Sequence, residues 1–112
     1  MTVKAAIREL DQRAEEAAAL LKLLSHPNRL RIACELRNRE ASVGALEEAI
    51  GSPQPTLSRD LARMREEGLL AARRHSRFVF YRLADDRLAR VIDALCAAYG
   101  PDTEKQRKWS RK

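Results

Sequence analysis

Aromatic residues are scarce in this chain, at 4% of its 112 residues. The length suits one small domain, and with 45% hydrophobic residues its core must be built from Leu, Ile, Val and Ala. Such a core is thin for a domain that folds as a single subunit. The composition therefore predicts apolar surface that is covered by a second copy of the chain.

Long hydrophobic runs and a cysteine framework are also missing. Two cysteines, Cys34 and Cys96, are too few for a disulfide scaffold. There is no apolar run of about 18 residues to span a membrane, and the first residues, MTVKAAIRELDQRAEE, lack the apolar block of a signal peptide. These absences predict a cytoplasmic protein whose thiols start in the reduced state.

Catalytic groups are equally few. The two histidines, His26 and His75, have no obvious nucleophile beside them, although a nucleophilic Ser or Cys needs a base within hydrogen-bond reach. The chain also has no glycine-rich phosphate loop and no clustered set of metal ligands. We therefore expect no enzyme activity, no cofactor and no metal site.

Residues 42–69 have the pattern of two helices joined by a tight turn. Ser42 is a candidate N-cap of the first helix, and Gly51 is a candidate stop. Pro53 then starts a second helix, where it is tolerated because first-turn N–H groups lack intrahelical partners. This pattern is typical of a helix-turn-helix. Its inward-facing residues are predicted to be Leu57, Leu61, Met64 and Leu69.

The second helix presents polar and cationic side chains at its N-terminal end. Short or forked donors of this kind suit base edges and phosphates in the major groove of DNA. The predicted DNA-reading residues are Gln54, Thr56, Ser58, Arg59 and Arg63. Taken alone, the same pattern would also fit a solvated face on an ordinary helix.

Residues 69–83 alternate with period 2 and break at the sequence Arg74-His75-Ser76-Arg77, which predicts a β-hairpin with a basic tip. A basic hairpin beside a recognition helix is a wing that reaches phosphates or the minor groove. The predicted DNA contacts of the wing are Arg73, Arg74 and Arg77. The alternative is that these arginines only keep an edge strand soluble.

The net charge of +6 is concentrated in two parts of the chain. Residues 54–82 hold seven Lys or Arg against three Asp or Glu, and residues 101–112 hold five against two. Residues 1–53 are balanced and residues 83–100 are net −1. This distribution favours a polyanion as partner. A membrane surface is disfavoured because no segment joins a strong apolar face to a basic face.

The first and last helices carry more apolar surface than so small a domain can cover. The first is predicted over roughly Val3 to Leu24, about 33 Å at 1.5 Å per residue. The last is predicted over Asp86 to Tyr99, between the N-cap Asp85 and a stop at Gly100. Their surplus stripes predict a homodimer through these two helices, which places two recognition helices side by side.

The predicted fold is mainly α with a small β-hairpin: a winged helix-turn-helix of about five helices plus a two-stranded wing, over residues 1–100. A further helix is predicted over Pro27 to Asn38, ahead of the helix-turn-helix. Residues 101–112 are expected to form a basic, disordered tail that adds phosphate contacts or promotes solubility.

Three segments resemble the ArsR/SmtB family of winged helix-turn-helix repressors over about residues 18–99: LLKLLSHPNRLRIACEL, SVGALEEAIG and QPTLSRDLARMREEGLLAARRHSRFVFYRLAD. The resemblance implies a homodimer that binds a double-stranded DNA operator and releases it when an inducer binds. Metal-sensing members carry Cys ligands at the helix before the recognition helix, or Asp and His ligands on the last helix. Residues 42–50 and 85–93 contain no Cys or His, so no metal is expected.

The cysteines resemble those of the persulfide-sensing (BigR/SqrR-type) branch, in which a cysteine of the second helix faces one of the last helix. Cys34 matches that position, whereas the second cysteine of the branch lies about one turn beyond Cys96, where this chain has Gly100. The resemblance implies a Cys34/Cys96 pair that responds to a small reactive sulfur or oxidant. Two alternatives stay open: cysteines that only fill the core of a regulator without a thiol switch, and a protein-interaction module that no longer binds DNA.

Overall fold

The computed structural model describes residues 2–101, which fold into six helices and three strands. The helices are α1 (Val3–Gln12), α2 (Ala14–Leu24), α3 (Pro27–Asn38), α4 (Val43–Ile50), α5 (Gln54–Glu66) and α6 (Asp86–Tyr99). The strands are β1 (Ala41–Ser42), β2 (Leu70–His75) and β3 (Phe78–Leu83). The winged helix-turn-helix class is confirmed. The predicted basic tail, from residue 102 onward, lies outside the described residues.

The first helix differs from the prediction, because it is broken in two at Arg13. There the backbone leaves helical geometry, with φ −115° and ψ 26°, and the Arg13 N–H bonds to Leu10 O, only three residues back. The Arg13 side chain pairs with Glu16, and Glu16 also pairs with Arg87 of α6. No proline or glycine marks this break. The break coincides with ion pairs that hold α2 against α6.

The helix-turn-helix, α4 and α5, begins and ends as predicted. The Ser42 hydroxyl accepts a hydrogen bond from Ala45 N at 3.2 Å and caps α4. Gly51 ends α4 in the left-handed region, with φ 85°, where a side chain would be strained. The four residues predicted to face inward from the second helix and the segment after it, Leu57, Leu61, Met64 and Leu69, are all buried.

The sheet has three strands in the order β1-β3-β2, one more than predicted. β2 and β3 form the antiparallel wing, with register Leu70↔Leu83 to His75↔Phe78, so the tip is Ser76-Arg77. Ser76 has a positive φ of 59° at this tight turn. The additional strand, β1, is two residues long and pairs with β3 on its other edge. A two-residue strand is too short to leave a period-2 signal in the sequence.

The core is formed by buried residues of the helices α2 to α6 and of the base of the wing. α6 is capped by Asp85, whose carboxylate accepts from the N–H groups of Arg87 and Leu88, and it buries Leu88 and Ile92. Tyr99, the last residue of this helix, is 84% exposed. None of the helices within residues 2–101 is both long and apolar enough to cross a bilayer.

Candidate DNA-reading surface and thiol pair

The recognition helix α5 packs through Leu57, Leu61 and Met64, all of which are fully buried. At about 100° per residue, Arg59 lies on the opposite face of the helix. Among the described residues, Thr56, Ser58 and Arg59 make no side-chain hydrogen bond or ion pair. Arg59 and Ser58 are also exposed, so their donors are available to a ligand of this face.

The other two candidates on α5 already have intramolecular partners. Gln54 Nε2 donates to Glu47 Oε1 of α4 at 3.0 Å, and Arg63 Nη2 lies 3.4 Å from Oε2 of Glu67, the C-cap residue of α5. Both contacts are on the surface, where the net gain of a hydrogen bond or ion pair is small. A phosphate or base edge therefore competes for these side chains with weakly bound acidic groups.

The wing arginines fall into two classes. Arg73 donates two hydrogen bonds to Glu40, Nε to Oε2 at 2.9 Å and Nη2 to Oε1 at 2.8 Å, and it also stacks 5.1 Å from the centre of the Phe80 ring. These hydrogen bonds lower the pKa of Glu40. Arg77 lies over the ring of Phe78, 5.7 Å from its centre. Within the described part of the chain, Arg74 has neither kind of partner.

A polar network that the sequence analysis missed holds α5 against α3. Asp60 of α5 accepts from Arg29 Nε at 3.0 Å and from Asn28 Nδ2 at 2.9 Å. Ser52, in the turn of the helix-turn-helix, donates to Asn28 Oδ1. The one sequence signal for this contact is that Asp60 is a lone acid among the basic and polar residues at the start of α5. The network positions the DNA-reading helix relative to α3.

Both cysteines are exposed in the described chain, so the interpretation that they only fill its core is wrong. Cys34 lies on α3 and Cys96 on α6, two helices that are in contact. The pKa of Cys34 is raised, first by partial burial of its sulfur and then by the negative charges of Cys96 and Glu35. The contact between α3 and α6 thus places the two cysteines on adjoining helices.

An ion pair lies beside the two thiols. Arg37 of α3 binds Asp93 of α6 through both guanidinium nitrogens, with Nε to Oδ1 and Nη2 to Oδ2 both at 2.8 Å. At the end of α6, a Cβ placed on Gly100 would lie 2.4 Å from the backbone oxygen of Cys96. Position 100 therefore accepts no side chain in this backbone, and Cys96 is the thiol that α6 offers.

The histidines are separate from these sites. His26 precedes α3 without a side-chain capping bond, and His75 lies at the end of β2 on the wing; both are exposed. Within residues 2–101, no group of three or more His, Cys, Asp or Glu side chains is arranged to hold a metal ion.

Comparisons with known proteins agree with this architecture. Residues 26–72 match the arsR family of bacterial regulatory proteins. The chain is 49% identical over 90 residues to the biofilm growth-associated repressor of Agrobacterium fabrum, covering 80% of this chain and 77% of that protein. It is 47% identical over 87 residues to the protein of the same name from Xylella fastidiosa, covering 78% and 76%.

Solved structures show the same similarity. The fold matches the crystal structure of the transcriptional repressor BigR from Xylella fastidiosa with a TM-score of 0.81 and 42% identity, covering 91% of this chain and 100% of that chain. It matches reduced HlyU from Vibrio cholerae with a TM-score of 0.78 and 33% identity, covering 84% and 99%. The chain therefore belongs to the arsR family of bacterial regulatory proteins and is a winged helix-turn-helix transcriptional regulator.

Proposed function

We propose that the protein is a homodimeric repressor that binds a double-stranded DNA operator and releases it when Cys34 and Cys96 are joined by reactive sulfur or an oxidant. The observation that carries this proposal is the position of α3. At one end α3 binds Asp60 of the recognition helix, and further along it carries Cys34 and contacts α6, the helix that carries Cys96. A new bond between the sulfurs therefore acts on the helix that supports the DNA-reading surface.

The DNA surface consists of α5 and the wing. Arg59 and Ser58 face outward from α5 without intramolecular partners among the described residues, which suits contacts to base edges in the major groove. Arg74 also has no intramolecular partner among the described residues, which suits contact with a phosphate beside the groove. Gln54, Arg63 and Arg73 complete the surface once DNA displaces their acidic partners. Arg77, which lies over the Phe78 ring, and the half-buried Thr56 also belong to it.

Dimerisation through α1 and α6 is supported by apolar surface that the protomer leaves uncovered. None of the residues of α1 is buried. Val3, Ile7 and Leu10 are 76%, 62% and 58% exposed, and Tyr99 on α6 is exposed too. A groove of about 400 Å³ between the α1-α2 region and the start of α6 continues this surface. A second copy of the chain covers it and sets two recognition helices about one DNA turn apart.

The thiol chemistry proceeds in two balanced steps with a low-molecular-weight persulfide, RS–SH. The Cys96 thiolate attacks the outer sulfur, forming Cys96–S–SH and releasing RS⁻. The Cys34 thiolate then attacks the Cys96 sulfur, forming a Cys34–Cys96 disulfide and releasing HS⁻. We place Cys96 first because the raised pKa of Cys34 leaves less of that sulfur as thiolate at neutral pH.

The switch is tested by the affinity for a duplex selected from a random-sequence pool, before and after treatment with a persulfide. We expect a loss of about 5- to 150-fold for the wild type, which corresponds to a coupling of about 1–3 kcal/mol. Cys34→Ser and Cys96→Ser should bind DNA when reduced but resist release. In addition, Cys34→Ser should accumulate one extra sulfur by intact mass. A single-cysteine variant that releases DNA as the wild type does contradicts the switch.

The DNA surface is tested with Arg59→Ala, which we expect to cost about 1–3 kcal/mol on the selected duplex and less on random DNA. Arg65→Ala is the matched control, because Arg65 carries the same charge on α5 but about 240° further round the helix. Arg74→Ala should weaken selected and random duplexes alike and lower the salt slope by about one. Absence of duplex binding by the wild type would instead favour a protein-interaction module.

A further inference from the structure

The Arg37–Asp93 ion pair and the two cysteines lie on the same two helices, α3 and α6. Cys34 precedes Arg37 by three residues on α3, and Cys96 follows Asp93 by three residues on α6. Residues three apart lie on one face of a helix. The C-terminal end of α3 and the N-terminal end of α6 line one groove, so the two helices run in opposite directions. Because Arg37 binds Asp93 through two hydrogen bonds of 2.8 Å, the position one turn before Arg37 on α3 lies on the same side as the position one turn after Asp93 on α6. Those positions are occupied by the two thiols.

We propose that Arg37 and Asp93 are positioning residues for the thiol pair, holding α3 and α6 in the register that lets the two sulfurs react with each other. This inference rests on the proposed thiol switch and names the side chains that make it efficient. A planar guanidinium bound by two parallel hydrogen bonds fixes orientation as well as distance, which a single lysine contact does not. The pair therefore limits sliding and rotation of the helices.

The ion pair also sets the charge around Cys96. The pKa of Arg37 is raised, first by its hydrogen bond to Asp93 and then by the charge of Asp93, with smaller contributions from Asp86 and from Cys96 itself. Arg37 therefore lies near Cys96, and Asp93 lies one turn before Cys96 on α6, so the surroundings of this sulfur contain one cation and one anion. Removing Arg37 and removing Asp93 have the same effect on helix register but opposite effects on this charge.

The test uses the full-length protein and oxidised glutathione as the oxidant. One protein thiolate attacks the glutathione disulfide, giving a mixed disulfide and GS⁻, and the other thiolate then displaces a second GS⁻ to form Cys34–Cys96. The equilibrium constant for the second step is the effective concentration of one thiol toward the other. This effective concentration is measured by intact-mass spectrometry in glutathione buffers of set composition. It reports on the register of α3 against α6 without involving DNA.

We expect Arg37→Gln and Asp93→Asn each to lower this effective concentration about three- to fivefold, the range accessible to an exposed ion pair. Arg37→Lys should fall between these variants and the wild type. The exchange Arg37→Asp with Asp93→Arg should recover most of the loss. Arg90→Gln is the matched control, since Arg90 pairs with Asp86 within α6 and does not bridge the two helices.

A second readout separates positioning from a general loss of structure. In the Cys34→Ser background, alkylation of Cys96 should slow in Arg37→Gln and accelerate in Asp93→Asn, because the two changes remove opposite charges beside the sulfur. An alkylation rate that moves in the same direction in both variants overturns the electrostatic part. An effective concentration equal to that of Arg90→Gln overturns the positioning role.

The outcomes for the wild type distinguish this inference from the proposed function. A wild type that crosslinks but keeps its duplex affinity contradicts the proposed switch and leaves the positioning role measurable by the variants. A wild type that never crosslinks in oxidised glutathione overturns both. A wild type that crosslinks and releases DNA, with variants that crosslink equally well, overturns the positioning role alone.

Discussion

The two ends of α3 are both tied to another helix by an arginine and an aspartate, but in different surroundings. At the N-terminal end, the side chains of Arg29 and Asp60 are 18% and 15% exposed, and Asn28 and Ser52 extend the contact. Towards the C-terminal end, the side chains of Arg37 and Asp93 are 45% and 54% exposed. We call the first contact the shielded joint and the second, which is open to water, the exposed joint.

This difference assigns different roles to the two joints. In a shielded site the hydrogen bonds are stronger, and removing one partner leaves the other unsatisfied. In an exposed site each group is readily solvated, so the contact holds a register at low energy. The recognition helix is thus held firmly to α3, while the contact between α3 and α6 is weak enough for the proposed bond between the sulfurs to alter it.

The largest expected effect comes from breaking the shielded joint. Asp60→Ala leaves Arg29 and Asn28 without their acceptor, and we expect a loss of about 2–3 kcal/mol in the free energy of unfolding. Asp93→Ala is the matched control at the exposed joint and should cost much less. Urea unfolding at one protein concentration measures both, since the stability of the proposed dimer depends on concentration. Equal losses would remove the distinction between the two joints.

A smaller effect is expected from trimming the shielded joint. Ser52→Ala removes the hydroxyl that donates to Asn28 but leaves the bonds between α3 and Asp60, so we expect a loss of about 1 kcal/mol. Ser58→Ala, at an exposed position of α5, should stay within about 0.5 kcal/mol of the wild type. If the two serine variants unfold at the same urea concentration, Ser52 contributes nothing to this joint.

At the exposed joint, Arg37→Gln should lower the melting temperature by less than Ser52→Ala does. The guanidinium and its carboxylate are each hydrated once separated, so the folded state loses little. Calorimetry on reduced protein checks this, with Arg90→Gln as the comparison. A fall as large as that of Asp60→Ala would show that the contact between α3 and α6 is a main support of the fold and not an adjustable one.

The smallest effect concerns the exposed contact between α2 and α6. Arg13 and then Arg87 donate to Glu16 and lower its pKa from 4.5 to about 2. Because the folded-state pKa is the lower one, the stabilisation is present above pH 4.5 and is lost as the pH falls toward 2. The melting temperatures of wild type and Glu16→Gln should therefore converge as the pH falls through this range. A gap that stays constant would contradict the pairing of Glu16.

Much of the fold could be predicted because its signals are local. The cap at Ser42, the left-handed Gly51 and the apolar spacing of α5 each depend on residues within one or two turns. The wing followed from period-2 alternation and a basic break. The break of the first helix at Arg13 could not be predicted in this way, because the Arg13 side chain does not disfavour a helix. The break coincides with contacts to Glu16 and, through Glu16, to Arg87 on a distant helix.

The sequence by itself determined the order of the helices, the DNA-reading candidates and the two thiols worth pairing. Only the tertiary structure decided which side chains have partners: Arg73 with Glu40, Asp60 with Arg29, and Arg37 with Asp93. These partners are separated by 31 to 56 residues in the chain. Periodicity states which face of a helix turns inward, but the angle and register at which two helices meet depend on the packing of the whole core.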